Sequence, residues 1–310
     1  MILLSICIPT YNRAIYLQRT LESIVQQDRF INFNDIEIII SDNCSEDSTE
    51  LISKEYVNLY PGKIFYYRNK VNIEDKNFRL ALSRARGQYL KLNNDYLQHF
   101  KNSLEVMTSE INESIKDKPN LFFTNGALKS DSVITGSGKD EFLYVTSHYS
   151  TWIGMYGIWK SDFESLRDFN RSSDLNLVQF DNIYRIINIK KYFVLVDFKI
   201  FENAELKPIR NYDLLTIFFD NYYKILSLHV EKSEITTKTL SRDRRKVLLT
   251  FICGWAARSS HRLEASFNVD RHWSRVFEYC RPNLLLFFIY ILKYMKNWLS
   301  FFYDKKFLKK

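Results

Sequence analysis

A chain of 310 residues with 46% hydrophobic content has ample apolar material for one large domain or two modest ones, which excludes a disordered protein. Its formal charge of +8, from 44 Lys+Arg against 36 Asp+Glu, and its 16% aromatic content fit an anionic partner such as membrane lipid, nucleic acid or a phosphorylated substrate. The four cysteines, Cys7, Cys44, Cys253 and Cys280, have neither Cys-x-x-Cys spacing nor the density of a disulfide scaffold, so reduced, buried thiols of a cytosolic protein are expected.

Met1 to Ile8 is apolar but carries no basic leader and meets Pro9 at once, too short for a signal peptide's hydrophobic region, so it reads as a core strand, with Leu3 to Ile8 as the first candidate strand. From Arg13 to Gln27 the apolar residues Ala14, Leu17, Leu21, Ile24 and Val25 fall on one face of a helix. Ile36 to Ile40 repeats the strand signal, and Ser45-Glu46-Asp47-Ser48 offers caps and early acidic residues to a helix through Leu51 and Ile52. Lys63 to Arg68 is a third strand. Asp75 to Ala85 is a helix that Gly87 is placed to end, and Gln88 to Leu92 is a fourth strand. Strands alternating with helices predict an α/β fold with a mostly parallel sheet flanked by helices. Leu121 to Thr124, Trp152 to Lys160 and Tyr192 to Ile200 are further expected strands. From about Asn211 glycine and proline almost vanish, and a helical C-terminal region is expected.

The polar residues gather where apolar runs stop. Pro9-Thr10-Tyr11-Asn12, Ser41-Asp42-Asn43 and Asn93-Asn94-Asp95 each follow a strand, and in an open α/β sheet ligands collect at the carboxyl ends of parallel strands. A carboxylate such as Asp42 suits a base N–H or a ribose hydroxyl; a turn at Asp42 and Asn43 that merely caps the next helix is the alternative, and the pair of loops favours the pocket. No Walker-type loop or Gly-x-Gly-x-x-Gly is present, so a diphosphate cannot rest on a glycine-rich cradle. A divalent cation, Mg or Mn, is the natural substitute, and Asp95 stands after the fourth strand where its carboxylate belongs; Asn-Asn-Asp is also ordinary turn composition. The five histidines show no His-Glu-x-x-His or Cys/His spacing, and no Gly-x-Ser-x-Gly elbow occurs, which sets aside a structural zinc site and the familiar hydrolase signal.

Taken together, Ser5-Ile6-Cys7-Ile8-Pro9-Thr10-Tyr11-Asn12-Arg13, Ile40-Ser41-Asp42-Asn43-Cys44-Ser45-Glu46-Asp47, and Arg68-Asn69-Lys70-Val71-Asn72 leading through Asn77 and Ala85-Arg86-Gly87-Gln88-Tyr89 to Asn93-Asn94-Asp95 resemble the family 2 glycosyltransferases of the GT-A fold. Within that family the resemblance is particularly to bacterial enzymes that build O-antigen or other surface polysaccharide. That resemblance implies a GT-A domain over residues 1–210, with a nucleotide-binding half at 1–100 and an acceptor half at 101–210, followed by a helical region at 211–310. It implies inverting transfer of a hexosyl or deoxyhexosyl group from a nucleotide-sugar donor to a lipid-linked surface glycan. The nucleotide-binding set it implies is Pro9, Tyr11, Asn12, Asp42, Arg86 and Asn93, with Asp95 as metal ligand. Asn93 stands where the family has an Asp, which removes one charge and leaves Asp95 to lean on nearby cations such as Arg86; Glu74 stands where the family usually has Gly. For the catalytic base, Asp181 in Leu177-Val178-Gln179-Phe180-Asp181 is the first candidate and Asp162 the reserve, each also suited to a helix N-terminus.

The tail carries a second signal. Leu284 to Leu292 is wholly apolar, but Lys293 and Lys296 interrupt it before the ~20 residues needed to span a bilayer, so spanning is disfavoured. On a helix Lys293, Lys296, Asn297, Ser300 and Asp304 form one polar stripe opposite Tyr294, Met295, Trp298, Leu299, Phe301 and Phe302, with Lys305, Lys306, Lys309 and Lys310 beyond. A basic amphipathic helix of this kind suits an anionic membrane surface, placing the protein peripherally on the cytoplasmic face of the cell membrane through residues 283–310; packing on its own core or on a partner subunit is the alternative. Two rival readings are a nucleic-acid binder using the Arg242, Arg244, Arg245 and Lys246 cluster, with nucleic acid not expected as a partner of the main reading, and a membrane-bound scaffold that keeps the fold without catalysis.

Overall fold

The first strand of the computed structural model, β1 (Leu4–Thr10), lies at the centre of a five-stranded sheet because its apolar residues are covered on both faces. Residues 1–187, 190, 192–203, 212–260 and 267–307 are described, with side chains of the last helix through Phe301. Met1–Ala204 and Glu205–Lys310 form two compact units.

In the first unit β1 is joined by β2 (Ile36–Asp42), β3 (Ile64–Arg68), β4 (Tyr89–Leu92) and, later in the chain, β8 (Gly157–Trp159), in the order β3-β2-β1-β4-β8. The first four run parallel and β8 is antiparallel to β4. All seven residues of β2 are buried, as a strand covered on both faces requires. The crossovers are the helices expected between strands: α1 (Ala14–Val25) and α2 (Asp28–Asn32) after β1, α3 (Thr49–Leu59) after β2, and α4 (Lys76–Ser83) after β3. Leu17, Leu21 and Ile24 of α1 are fully buried against the sheet.

Two small sheets complete this unit. β5 (Leu97–His99), which follows β4 directly, pairs antiparallel with β10 (Phe201–Asn203), and α5 (Ser103–Ser114) then leads to β6 (Asn120–Phe123). β6 lies parallel to β9 (Phe193–Val196), with β7 (Val133–Gly136) antiparallel on the other side of β9. α6 (Gly138–Thr146), α7 (Lys160–Ser165) and α8 (Val178–Ile186) connect these strands.

Two expectations are corrected, and the loop at Glu74 takes a definite shape. The strand expected over Trp152 to Lys160 shrinks to β8, because Ser147–Thr151 and Ile153–Met155 are 3-10 turns. Gly87 does not end a left-handed helix cap: α4 stops before Arg84, and a Cβ on Gly87 would stand 2.6 Å from Ser5 Oγ, so the glycine serves close packing against β1. At Glu74, where the family usually has Gly, the backbone is left-handed with φ 51°, so the loop keeps a glycine-like shape around a side chain.

The second unit is helical among its described residues: α9 (Tyr222–Glu231), α10 (Thr237–Val247), α11 (Cys253–Ser260), α12 (His272–Cys280) and α13 (Leu284–Phe307), with π-helical turns at Thr216–Asn221 and Leu248–Ile252. Thr236 caps α10 by accepting from Thr239 N–H. Arg242, Arg244, Arg245 and Lys246 lie exposed on α10, where the Arg244 guanidinium stacks on Tyr223.

Helix α13 has two apolar faces rather than one. Tyr290 is fully buried; the Tyr290 and Tyr294 rings pack on Trp273, Phe287 packs on Phe277, and Asn297 donates to Cys253 Sγ. Leu284, Leu285, Phe288, Leu292, Met295 and Leu299 face solvent on the other side. Asn297 therefore leaves the expected polar stripe, which narrows to Lys293, Lys296 and Ser300. The side chains of Phe302 and Asp304 and the lysines at 305, 306, 309 and 310 lie outside the described side chains. By length and composition Leu284–Phe301, with mean hydropathy 1.3, is enough to cross a membrane despite its two lysines.

All four cysteines are free thiols, three of them buried and Cys44 half-buried.

Candidate active site

The carboxyl ends of β1 to β4 are tied into one edge by the backbone. Asn43 N–H donates to Thr10 O at 2.9 Å, Asn69 N–H to Asp42 O at 2.8 Å, and Asn93 N–H to Cys7 O at 2.8 Å. The three polar strand ends noted in the sequence are thus neighbours, as the parallel register dictates.

On the first loop Pro9 is half-exposed, and Tyr11 and Asn12 are exposed. Asn12 adopts a left-handed φ of 52°, which this residue type tolerates, and its amide is locked to the second loop: its N–H donates to Ser45 Oγ at 2.9 Å and its Oδ1 accepts from Glu46 N–H at 2.7 Å. Asp47 serves both loops. Its Oδ2 accepts from Ala14 N–H at the start of α1 and its Oδ1 from Thr49 N–H at the start of α3, both at 3.0 Å. Burial alone would raise that carboxyl, yet the bonds from Thr49 and Ala14 hold it below its usual range.

Asp42 is fully buried. Oδ1 accepts from Ser45 N–H at 2.9 Å, the turn role the sequence allowed, and Oδ2 accepts from the Tyr66 hydroxyl at 2.7 Å. Arg68, its register partner on β3, places Nε 3.8 Å away. Beneath the loop, Asn77 Oδ1 accepts from Ser41 Oγ at 2.6 Å and from Asn69 at 3.0 Å, and Arg84 donates to Ser41 Oγ at 2.7 Å and to Asn69 Oδ1 at 3.1 Å. Asn43 holds the next segment by accepting from Ile73 N–H at 2.9 Å and donating to Asn72 Oδ1 at 2.7 Å. A recess of about 430 Å³ opens along that segment, lined by Asn72 to Lys76 and by Ser173 and Asp174 from farther along the chain. Burial, with Glu74 adjacent, pushes the Asp75 carboxyl at its wall up to about 6.

The third strand end is split by direction. Asn93 turns inward: it is fully buried, Oδ1 meets His99 Nε2 at 3.1 Å, and Nδ2 donates to Asn94 O at 2.9 Å. Asp95 pairs with Arg13, NH1 to Oδ1 at 3.0 Å, and its carbonyl accepts from Thr20 Oγ1 at 3.0 Å. Burial raises the Asp95 carboxyl and Arg13 pulls it back. For a hard cation the donor chemistry here fits: Asp95 supplies a carboxylate, and Asn94 Oδ1 beside it in the chain is a buried acceptor without a hydrogen-bond partner. Among the described residues no three His, Cys, Asp or Glu side chains gather at one point, so phosphate oxygens or waters would have to complete the shell.

Arg86 is not at this edge. It pairs with Glu37, Nε to Oε2 at 2.8 Å and NH2 to Oε2 at 2.7 Å, and stacks on Phe65. Glu37 pairs in register with Ser5 whereas Asp42 pairs with Thr10. Five residues of strand separate them, roughly 16 Å at the rise of a strand. Arg86 therefore satisfies a buried carboxylate at the amino end of the sheet, whereas Arg13, Arg68 and Arg84 stand at the strand-end edge. Tyr66 and Arg68 had a legible signal, since with Ile64 they alternate along β3 and share the face of Asp42; Arg13 had only its place after the first loop.

Later in the first unit Asp181 lies in the first turn of α8, 1% exposed, with both oxygens on Arg171: Nε to Oδ2 at 2.7 Å and NH2 to Oδ1 at 2.5 Å. Gln179 of the same turn donates to Thr151 O at 2.6 Å, and Lys91 of β4 donates to Gly154 O, so this helix and the strand anchor the same stretch of turns. Asp162, in the first turn of α7, is held by Lys190 at 3.1 Å. Each candidate base is thus paired with a cation, and neither is a bare helix-terminal carboxylate.

The fold is of the GT-A type, a mainly parallel sheet whose strand ends carry polar loops. Residues 5–117 match the family described as Glycosyl transferase family 2. Among curated proteins, abequosyltransferase RfbV of Salmonella typhimurium is 50% identical over 88 residues, 28% of this chain and 26% of its own length. The GalNAc(5)-diNAcBac-PP-undecaprenol beta-1,3-glucosyltransferase of Campylobacter jejuni is 29% identical over 155 residues, 45% of this chain and 47% of its own. The chain thus spans from about a quarter to about half of these relatives. Among solved structures, Staphylococcus aureus TarS residues 1–349 in complex with UDP aligns with a TM-score of 0.54 at 17% identity, covering 81% of this chain and 71% of that one, a likeness of fold.

Proposed function

We propose that the protein is a glycosyltransferase that moves a hexosyl or deoxyhexosyl group from a nucleoside-diphosphate donor to a lipid-linked surface glycan, with inversion. The observation that carries this reading is the buried Asp42, aimed by Tyr66 and Ser45 at the edge where the exposed Tyr11 and Asn12 meet it. That edge lies inside the segment that matches family 2.

In this reading Pro9, Tyr11, Asn12 and Asp42 hold the nucleoside: Asp42 orients a donor group of base or ribose, and Tyr11 offers a ring face. Asp95 with Asn94 would hold a Mg or Mn ion, whose chemistry is to neutralise charge on the departing diphosphate. Asn93 supports from below, fixing the 93–95 turn through His99. The recess between the 72–76 segment and Ser173-Asp174 gives the sugar a place, its volume lying within the ordinary range of small-molecule pockets. Asp181 is the proposed base; to take an acceptor proton it has to free an oxygen from Arg171, which then becomes the group that steadies its orientation. The name of the Campylobacter relative includes an undecaprenol-linked diphosphate, which supports a lipid-linked acceptor here.

A membrane surface is the second partner proposed. Leu284, Phe288, Leu292, Met295 and Leu299 present an exposed apolar face with Lys293 and Lys296 beside it, the arrangement that enters a headgroup boundary. Crossing is the weaker option because the opposite face of α13 is already packed on α11 and α12, where Arg258 lies beside Phe301. The protein is accordingly proposed to act at the cytoplasmic face of the cell membrane.

The test is a transfer assay with a panel of nucleotide sugars and an undecaprenyl-diphosphate-linked acceptor, with Asp42→Ala and Asp95→Ala as variants. Turnover by the wild type and loss of at least about a hundredfold in either variant are expected; turnover that neither substitution changes would remove this edge from the reaction.

A further inference from the structure

The ion pair between Arg13 and Asp95 is asymmetric. The Arg13 side chain is 36% exposed and that of Asp95 only 5%, so the arginine is the solvent-facing partner and the carboxylate the buried one. The guanidinium also lies 5.4 Å from the centre of the Tyr96 ring. Arg13 is the N-cap residue of α1, and Thr20 of that helix bonds the Asp95 carbonyl, so the helix fixes both the arginine's root and the backbone of its partner. Asp95 is also the carboxylate proposed to hold a cation.

We infer that Arg13 and a divalent cation are alternative partners of Asp95: the arginine holds the carboxylate in the free protein and yields it to take the donor's diphosphate. The inference rests on the glycosyltransferase reading for the identity of that ligand. Two cations on one carboxylate oxygen repel each other, and Mg²⁺ or Mn²⁺ demands that oxygen's lone pair at close range. A guanidinium is planar, permanently charged and matched to phosphate as well as to carboxylate, so moving from one to the other costs it little. The exchange leaves no buried charge unpaired at either stage, which a simple vacancy at Asp95 would not achieve.

The experiment uses the full chain with Mn²⁺ alone, read by electron paramagnetic resonance of the free ion, for wild type, Arg13→Gln, Arg13→Lys and Asp95→Asn. Arg13→Gln is expected to bind Mn²⁺ about tenfold more tightly than wild type, because the competing charge-assisted bond is gone. Asp95→Asn is expected to lose the site. Equal Mn²⁺ affinity in wild type and Arg13→Gln, or no binding in either, overturns the inference. Should Arg13→Gln fail to fold, Arg13→Lys, which pairs less firmly, is expected to gain about threefold, and no gain overturns it. UDP, GDP, CDP and dTDP are then titrated singly in the presence of Mn²⁺. Arg13→Gln should lose about tenfold in affinity for the diphosphate that the wild type binds while keeping its affinity for the parent nucleoside; equal losses for both overturn the diphosphate half. If wild type binds none of the four, the glycosyltransferase reading and the diphosphate half fall together, while the Mn²⁺ result still decides the competition at Asp95.

Discussion

Tyr66 donates its hydroxyl to Asp42 Oδ2 at 2.7 Å from the neighbouring strand, and with Ser45 N–H on the other oxygen it fixes a fully buried carboxylate at the end of β2. Burial, together with this bond, pushes the Tyr66 hydroxyl well up from its ordinary range, so it remains a donor at any working pH. Tyr66→Phe is expected to cost about 1 kcal/mol of stability, the ordinary value of such a bond, and to weaken nucleotide binding by about tenfold as Asp42 loses its aim. Urea unfolding and calorimetric titration measure the two effects; unchanged binding would mean that Asp42 is aimed by other groups.

Arg171 and Asp181 form the second pair on which the account depends. Removing the arginine strands a carboxylate that is 1% exposed, and since Arg171 is itself partly open to solvent, about 2–3 kcal/mol of stability is expected to be lost in Arg171→Ala. Asp181→Asn keeps the shape and removes the charge, so it should cost less stability yet lower kcat by about a hundredfold or more if Asp181 is the base. Asp162→Asn is the control expected to leave kcat within about threefold. A large kcat loss in Asp162→Asn with none in Asp181→Asn would reverse the assignment.

Much of this was legible in the chain. Periodicity exposed the four parallel strands, and polar residues stopping the apolar runs marked the edge they share. Side-chain direction was less accessible. Asn93 and Asp95 lie two apart, yet one turns to His99 and the other to Arg13, because β4 ends at Leu92 and the chain turns at Asp95-Tyr96, with Leu97 N–H closing on Asn94 O, so the strand alternation no longer holds. Arg86 was misplaced for a related reason: its nearness in sequence to β4 says nothing about which end of the sheet it occupies, and the buried Glu37 that claims it lies 49 residues away in the chain. In α13 the helical spacing was plain, but which of its two apolar faces is packed depended on α11 and α12.

Below the edge, burial pulls Lys91 from its ordinary 10.5 to about 7 and His99 from 6.5 to about 3. Both values fall on folding, so each unfolded group holds a proton that the folded one has released. Stability should therefore rise with pH from 3 to 6.5 through His99 and again from 7 towards 10.5 through Lys91, with a slope of about 1.4 kcal/mol per pH unit for one proton. Lys91→Met is expected to remove the upper slope, so its stability relative to wild type falls as pH rises from 7 to 9. Urea midpoints across that range decide it; a pH-independent difference would show that Lys91 does not release its proton there.

On α13, Leu292 and Met295 are exposed and stand on the unpacked face. The double variant Leu292→Glu, Met295→Glu is expected to reduce binding to vesicles of phosphatidylglycerol and phosphatidylcholine by at least about tenfold, while folding stability moves by no more than about 0.5 kcal/mol per site. Co-sedimentation with vesicles reads the first and thermal unfolding the second. Vesicle binding that survives both charges would remove this face from the membrane proposal.

The central claim, that the edge built on Asp42 binds a nucleoside diphosphate, is met most directly by isothermal titration of the full chain with UDP, GDP, CDP and dTDP in the presence of Mn²⁺, repeated for Asp42→Ala. The account predicts saturable binding of at least one of the four by the wild type and a loss of at least about tenfold in Asp42→Ala, with the far-ultraviolet circular dichroism unchanged. Binding of none of them, or binding that Asp42→Ala leaves intact, would contradict it.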